Sequence, residues 1–441
     1  MMKRELSVYR ETLAVFFAVY CEPPRGLGRQ KEMTIMRPDT LRSFRRLARA
    51  LALALPLAAL AAGGDTDSAW KKAGADEGLR QAFERAVRPP AGRDAGNPLL
   101  AAPAWTQQQE LNDPQGQELG FGASVSVRGD TAVIGDDMTT VDLLNSNQGG
   151  AYVFVLSGGV WTQQQLLIAS DGVSGDYFGY SVSVSGDTAV IGAPVRTINS
   201  ASAQGAAYVF MRSGGVWTQQ QELVASDGTA NENFGWSVSV DGDTAVIGTV
   251  YPGAAYVFVR SGEVWTQQQE LTPSDGAMDA FGYPVSLSGG TVVIGAQGKA
   301  VNSRAYQGAA YVFVQSGGKW IQQQELTASD GAANDYFGSS ASVSGDTAVI
   351  GAYDHNLDRG AAYVFVRNGA TWSQQQELTA PDGVAGTCSN PCIEVMGGDR
   401  LGFSVSVSGD TAVIGAIGHN FSQGAAYVSC RATECGPSSR S

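Results

Sequence analysis

The sequence predicts an all-β protein made of six tandem copies of one four-stranded unit. A tryptophan that opens a glutamine-rich phrase recurs every 48 to 56 residues. Three further strand-like phrases recur in the same order, and 56 glycines among 441 residues supply tight turns. Tandem sets of four antiparallel strands are typical of the blades of a β-propeller. The recurring tryptophans are Trp105, Trp161, Trp217, Trp265, Trp320 and Trp372.

Each of the four phrases predicts one strand, as the second copy illustrates. Residues 178–184 alternate between serine and valine, the period of a half-buried strand. Residues 188–192 and 206–211 are nearly continuous apolar runs, typical of strands covered on both faces. Residues 217–223 contain three glutamines and predict a polar outer strand. Between the first two strands, residues 186–187 are Gly-Asp, which suits a two-residue hairpin with positive φ at glycine.

The two ends of the repeat region are complementary. An extra outer-strand phrase at residues 105–111 precedes every other repeat phrase, and the last copy ends near residue 430 without one. We therefore predict six blades, with residues 105–111 closing the ring as the outer strand of the sixth blade and protecting a sheet edge. The alternative is seven blades, the extra one formed by residues 65–100, although that segment has no strand pattern.

Two phrases of the repeat carry a family resemblance. Phe178-Gly179 is followed by Gly192-Ala193-Pro194, and the other copies keep variants of both halves in the same order. The region resembles the FG-GAP repeats of integrin α-subunit propellers, and is more similar still to exported bacterial FG-GAP proteins. The resemblance implies a β-propeller used for binding or adhesion at the cell surface.

The resemblance does not carry over the Ca²⁺ loops of integrins. Those loops lie in the hairpin between the first two strands of a blade, where this chain has only two residues, and Ca²⁺ needs six to eight oxygen ligands. Asp171 and Asp176 in the preceding loop, and their counterparts in other copies, leave Ca²⁺ open as an alternative. Because their spacing matches no known Ca²⁺ loop, we interpret them as an Asp-Gly turn and a solvated acid. No metal site or cofactor is predicted.

Residues 1–62 are predicted to be a leader with a signal peptide. A basic stretch precedes the apolar run at residues 51–62, which is too short to cross a membrane as a helix. The long segment ahead of the basic stretch predicts a true start at Met33 or Met36. Residues 63–104 are predicted to be a linker with room for one short helix.

The mature chain is predicted to be exported, and to be secreted, periplasmic or at the cell surface. It comprises the propeller at residues 105–431 and a tail at residues 432–441, with no segment apolar for long enough to span a membrane. Residues 105–441 contain 12 basic and 31 acidic side chains. Such an acidic surface argues against binding to nucleic acid or to an anionic membrane.

The loops between the second and third strands vary most, and function on a propeller is expected in such loops. We predict that they bind a protein or glycan partner at the cell surface. A structural component of the surface or the extracellular space is the alternative, and an enzyme acting at the channel mouth is a weaker one. The candidate contact residues are His355, Asn356, His419, Asn420, Asp136, Asp137, Arg196 and Arg304.

Catalytic signatures are missing from the sequence. There is no nucleophile elbow, no zinc-protease motif and no P-loop, so we predict that the protein is not an enzyme. Four cysteines follow the leader, an even number that predicts disulfides in an exported chain. Their pairing stays open, and a Cys₄ zinc site is the rival. These cysteines are Cys388, Cys392, Cys430 and Cys435.

Overall fold

The chain divides into two compact units, Met1–Pro98 and Leu99–Ser441. The first unit lies outside the described residues, so the signal peptide, the start site and most of the linker stay predictions. The computed structural model describes residues 109–114, 120–140, 146–276, 279–388, 395–396, 398–419 and 423–431.

Six antiparallel sheets follow one another along the described chain, five with four strands and the last with three. The first three blades contain β1 (Phe121–Arg128), β2 (Thr131–Asp136), β3 (Gly150–Ser157), β4 (Val160–Leu167), β5 (Ser181–Ser185), β6 (Thr188–Ala193), β7 (Ala206–Ser213), β8 (Val216–Leu223), β9 (Ser237–Asp241), β10 (Thr244–Gly248), β11 (Ala255–Ser261) and β12 (Val264–Leu271).

The last three blades have the same strand order. They contain β13 (Phe281–Ser288), β14 (Thr291–Ala296), β15 (Ala309–Ser316), β16 (Lys319–Leu326), β17 (Ser340–Ser344), β18 (Thr347–Ala352), β19 (Ala361–Asn368), β20 (Thr371–Leu378), β23 (Leu401–Ser408), β24 (Thr411–Ala416) and β25 (Ala425–Cys430). A two-stranded ribbon, β21 (Thr387–Cys388) with β22 (Val395–Met396), precedes the sixth blade. A four-residue segment, His355–Asp358, has the hydrogen bonds of a helix but left-handed backbone angles at its centre.

The predicted six-bladed propeller is confirmed, and so are its hairpins. In the second blade Ser185 pairs directly with Thr188, and Gly186 has φ of 59°, as a two-residue turn requires. The second and third strands of the second blade are almost wholly buried, which explains their apolar runs. Phe178 is fully buried and packs edge-on against Tyr208 and Phe210 at ring-centroid distances of 5.5 and 6.0 Å.

The glutamine run joins neighbouring blades, a role that goes beyond the predicted polar face. Gln221 brackets Trp265 of the next blade, accepting from its backbone N–H at 2.9 Å and donating to its carbonyl at 2.8 Å. Gln220 accepts from the indole N–H of the same tryptophan at 3.1 Å. Equivalent bonds join the first blade to the second, the third to the fourth and the fourth to the fifth.

The two halves of the repeat motif meet across blade boundaries. A Cβ on Gly192 would lie 1.9 Å from the carbonyl oxygen of Gly235 in the next blade. Gly235 itself has φ of +90°, and a Cβ on it would lie 2.2 Å from the carbonyl oxygen of Ala206. The Gly-Ala-Pro half of one blade therefore packs backbone-to-backbone on the Phe-Gly half of the next, and only glycine fits there.

The predicted ring closure is only partly within the described residues. Trp105 to Gln108 lie outside them, and residues 109–111 are not in a strand. Gln109 nevertheless brackets the backbone of Trp161 with bonds of 2.9 and 2.8 Å, as each preceding outer strand does elsewhere. The first strand of the first blade does not show the burial seen in the second blade. Val125 and Val127 are 70 % and 64 % exposed, whereas their counterparts in the second blade are buried. Closure of the sixth blade by residues 105–111 stays a prediction.

We expect a chain that begins at residue 112 to be less stable than one that begins at residue 104. The shorter chain loses the glutamine that bonds the backbone of Trp161, and a typical hydrogen bond contributes about 0.5 to 1.5 kcal/mol to stability. Urea denaturation of both chains measures the difference. Equal free energies of unfolding would show that residues 104–111 do not close the ring.

Candidate functional site

One end of each blade carries the loops that vary between repeats, and we call it the loop face. There the first strand begins and the second strand ends, as in the second blade, where the Gly179 N–H donates to the Gly192 carbonyl at 3.0 Å. The opposite end carries only the two-residue hairpins. The predicted contact residues within the described chain belong to the loops of the loop face.

A central cavity of about 450 Å³ opens among the first strands of the blades. The side chain that follows each Phe-Gly pair, or the Leu-Gly pair of the sixth blade, points toward the same axis because the first strands are equivalent in every blade. The residues at this position alternate along the first strands with buried valines, and they line the cavity wall. The cavity-lining residues at this position are Ala123, Tyr180, Trp236, Tyr283, Ser339 and Phe403.

Aromatic rings form a continuous part of this wall. Tyr180 and Trp236 lie 4.6 Å apart between ring centroids, and Trp236 and Tyr283 lie 5.8 Å apart. The buried indole N–H of Trp236 has no hydrogen-bond partner within the described residues. The sequence interpretation missed these residues. Their signal is that one position varies between Ala, Tyr, Trp, Ser and Phe inside an otherwise repetitive strand.

A smaller cavity of about 90 Å³ adjoins the central one and is lined by Tyr283, Gln297, Ser339, Tyr353 and Phe403. The side-chain oxygen of Gln297 is buried there without a partner within the described chain. Burial raises the pKa of Tyr353 to about 12, and burial likewise raises the pKa of Tyr180. Both phenols therefore stay protonated near neutral pH and can donate hydrogen bonds.

Each of the six blades also has carboxylates beside the tyrosine of its third strand, which form its carboxylate pocket. In the second blade Tyr208 donates to Glu222 at 3.1 Å, and Asp171 and Asp176 lie beside them. The interpretation of Asp176 as a solvated acid is wrong. Its side chain is buried and accepts the backbone N–H of Val173 at 2.8 Å, which fixes the loop.

A cation from the loop between the second and third strands fills this pocket in four blades. Arg196 contacts Asp171 and Asp176 at 2.5 and 3.0 Å, and Lys299 contacts Glu325 at 2.8 Å as well as Asp275. His355 and His419 occupy the same position in the fifth and sixth blades. Several predicted contact residues are therefore engaged within their own blades, and binding of a partner by them stays a prediction.

The pocket of the first blade has no such cation among the described residues. Thr139 stands where Arg196 stands in the second blade, since each donates its N–H to the last residue of the second strand at 3.2 Å. Asp136 is fully buried, and neither of its carboxylate oxygens reaches regular hydrogen-bond geometry within the described chain, although the hydroxyl and N–H of Thr139 lie close to them. Burial raises the pKa of Asp136, and the charge of Asp113 raises it further. Burial and the charge of Asp136 raise the pKa of Asp137.

The remaining predicted contact residues lie as follows. Asn356 is exposed in a left-handed conformation, and Arg304 is exposed and donates to the carbonyl of Gly331 in the next loop. Asn420 lies outside the described residues, as do Cys392 and Cys435. Cys388 ends β21 and Cys430 ends β25. Because Cys392 and Cys435 lie outside the described residues, the pairing of the disulfides stays a prediction. Among the described residues, no helix is long and apolar enough to cross a membrane.

The architecture and its repeated strands define a six-bladed β-propeller of up-and-down sheets. The family model of the FG-GAP repeat matches residues 105–154, 161–210, 217–258, 265–313, 320–365 and 394–429. The chain therefore belongs to the FG-GAP repeat family, as its motifs predicted.

Two solved structures are similar in fold. One is the β-propeller domain of Cps50 (Swd1) from Myceliophteria thermophila, with 10 % identity, a TM-score of 0.43, and 68 % of this chain and 81 % of that chain covered. The other is a protein from Lactobacillus plantarum, with 12 % identity, a TM-score of 0.42, and 69 % and 83 % covered. A search of curated proteins finds no match.

We expect Asp136→Ala to raise the free energy of unfolding at pH 7 by about 1 to 3 kcal/mol, the cost of an unpaired buried polar group. Alanine is the residue of the second blade at this position, Ala193. Because the folded pKa is raised, the charged form costs stability above the unfolded pKa, and this cost disappears as the pH falls below it. Urea denaturation in EDTA at pH 7 and pH 4 checks both points.

The reciprocal variant Ala193→Asp serves as the matched control and should lower stability at pH 7. If Asp136→Ala instead lowered stability at both pH values, the carboxylate would be making a favourable contact, and the explanation given for its raised pKa would be wrong.

Proposed function

We propose that this FG-GAP propeller is an exported, non-catalytic binding module that holds a protein or glycan partner at its loop face. The observation that carries the proposal is the central cavity, with its aromatic wall and the unpaired N–H of Trp236. Its volume of about 450 Å³ is within the usual range of about 300 to 1,000 Å³ for ligand sites. Export is supported by the leader sequence alone.

The chemistry of the cavity favours a glycan. Aromatic faces pack against the C–H faces of sugar rings, and a glycan hydroxyl can accept the hydrogen bond that Trp236 offers. The buried oxygen of Gln297 and the hydroxyl of Ser339 add polar groups in fixed positions. A few polar groups in an aromatic cavity fix the orientation of a bound molecule.

The charge of the propeller favours an uncharged glycan. Residues 105–441 carry 31 acidic against 12 basic side chains, and several basic ones are paired with carboxylates inside their own blades. An acidic polymer approaching the loop face would meet a field of the same sign. A neutral oligosaccharide would pay no such cost.

A non-catalytic role is supported by the groups that face the cavity. Tyr180 and Tyr353 have pKa values raised by burial, so they do not exchange protons near neutral pH. The two histidines lie in the carboxylate pockets, where their Nδ1 atoms contact Asp335 and Asp399 at 2.9 and 3.0 Å.

We expect Trp236→Ala to weaken binding of a neutral oligosaccharide at least tenfold, because it removes both the stacking surface and the free donor. Glycan-array screening of the purified chain, followed by titration calorimetry with the best ligand, measures this. Tyr251→Ala is the matched control, since Tyr251 is an aromatic side chain of the loop face that is 67 % exposed and does not line the cavity.

One outcome would move the binding site within the loop face, and two others would overturn the proposal. Loss of a protein partner only when loop 193–205 is shortened would place binding on the loops and not in the cavity. Self-association without any ligand would favour a structural role. Turnover of a glycan that is lost in His355→Ala and His419→Ala would make the protein an enzyme.

A further inference from the structure

The carboxylate pocket of the fifth blade is filled by a histidine, as in the sixth blade, whereas the second and fourth blades hold an arginine and a lysine there. Nε2 of His355 lies 3.7 Å from Oδ2 of Asp330 and 3.7 Å from Oε1 of Glu377. One ligand atom from each of these three residues lies within 4.8 Å of the other two. One imidazole nitrogen and two carboxylates form a donor set that suits a divalent transition metal.

The imidazole is held in the orientation that ligation requires. Its Nδ1 atom lies 2.9 Å from Oδ2 of Asp335, a carboxylate that is 4 % exposed and also accepts the N–H of Ala332. Nε2 therefore points toward Asp330 and Glu377. A carboxylate on the far nitrogen is the usual support of a metal-ligating histidine, because it fixes the ring and makes Nε2 a better donor.

An independent observation in the same pocket points to a missing ligand. The hydroxyl of Tyr363 is fully buried beside Asp330 and Glu377, yet its contact with Asp330 falls short of hydrogen-bond geometry within the described chain. In other blades the equivalent hydroxyl donates a hydrogen bond to a carboxylate. These pairs are Tyr208 to Glu222, Tyr256 to Glu232, Tyr311 to Asp275 and Tyr427 to Asp382. The fifth blade thus has an unused polar atom aimed into a cluster of carboxylates.

We propose that the fifth blade binds Zn²⁺ through Nε2 of His355 and the carboxylates of Asp330 and Glu377, with water in the fourth position. Tetrahedral Zn²⁺ with bonds of about 2.0 to 2.2 Å places its ligand atoms about 3.3 to 3.6 Å apart. Small movements of Asp330 and Glu377, whose side chains are 44 % and 32 % exposed, shorten the distances of 3.7 Å to this range. A bound water lies within reach of the free hydroxyl of Tyr363.

The neighbouring blades supply the comparison that makes the proposal specific. In the second and fourth blades Arg196 and Lys299 bring a permanent positive charge into the same pocket, which leaves no lone pair for a metal. In the sixth blade Nε2 of His419 lies 3.8 Å from Asp382, and the hydroxyl of Tyr427 is already bonded to that carboxylate. The glutamate of a fourth strand is not part of that blade among the described residues.

The full chain, freed of metal with EDTA and dialysed, should bind one Zn²⁺ at pH 8 by titration calorimetry. The mildly alkaline pH favours loss of the ring proton, which competes with the metal. His355→Arg is the decisive variant. It places in the fifth blade the cation that Arg196 supplies in the second, so the pocket stays neutralised and the fold is expected to persist. Binding of Zn²⁺ should fall at least 100-fold.

His419→Gln is the matched control and should keep both the affinity and the single site. Co²⁺ substitution gives a second readout, since oxygen and nitrogen ligands produce weak visible bands without the intense charge-transfer band of a thiolate. Unchanged Zn²⁺ binding in a folded His355→Arg protein would overturn the proposal. So would a thiolate spectrum, which would assign the metal to the cysteines, or loss of the metal in His419→Gln alone.

Discussion

Hydrogen bonds from each repeat to the next are the interaction on which the rest of this propeller depends. The outer strand of one blade satisfies the backbone and indole of Trp265 in the next through Gln221 and Gln220. Near the axis, Ser183 accepts the N–H of Val240 at 3.0 Å. Because each repeat presents both partners of these bonds, every added copy satisfies the previous one, and the terminal copies are the places where partners run short.

The same interface decides where the sequence is free to vary. The approach of Gly192 to Gly235 leaves no room for a Cβ, and the glutamines and serines are committed to bonds between blades. Two kinds of position escape these demands, namely the residue after each Phe-Gly pair and the loop after the second strand. The first position lines the central cavity, and the second supplies the side chain that fills each carboxylate pocket, so binding surfaces can differ between blades without loss of the interface.

The strands were predictable from the sequence because each phrase carries its own local pattern. Alternating serine and valine at residues 181–185, and the Gly-Asp turn that follows, specify a strand and a hairpin without reference to the rest of the chain. The carboxylate pockets were not predictable in this way. Arg196 contacts Asp171, which lies 25 residues earlier in a different loop. The burial of Asp176 likewise becomes visible only in the packed blade.

The filled pockets explain how one scaffold can hold both structural ion pairs and a candidate binding site. A buried carboxylate is costly unless it is paired, so a cation stabilises a blade that keeps its acids. Arg196 and Lys299 meet that need permanently, since neither loses its charge near neutral pH. His355 meets that need only while its ring is protonated. Burial opposes the charged ring and the bond to Asp335 favours it, with a net rise in the pKa of His355. A neutral imidazole can give its lone pair to a metal ion, which arginine and lysine cannot do. Histidine is therefore one requirement for a metal site in this pocket, and the glutamate of the fourth strand is a second.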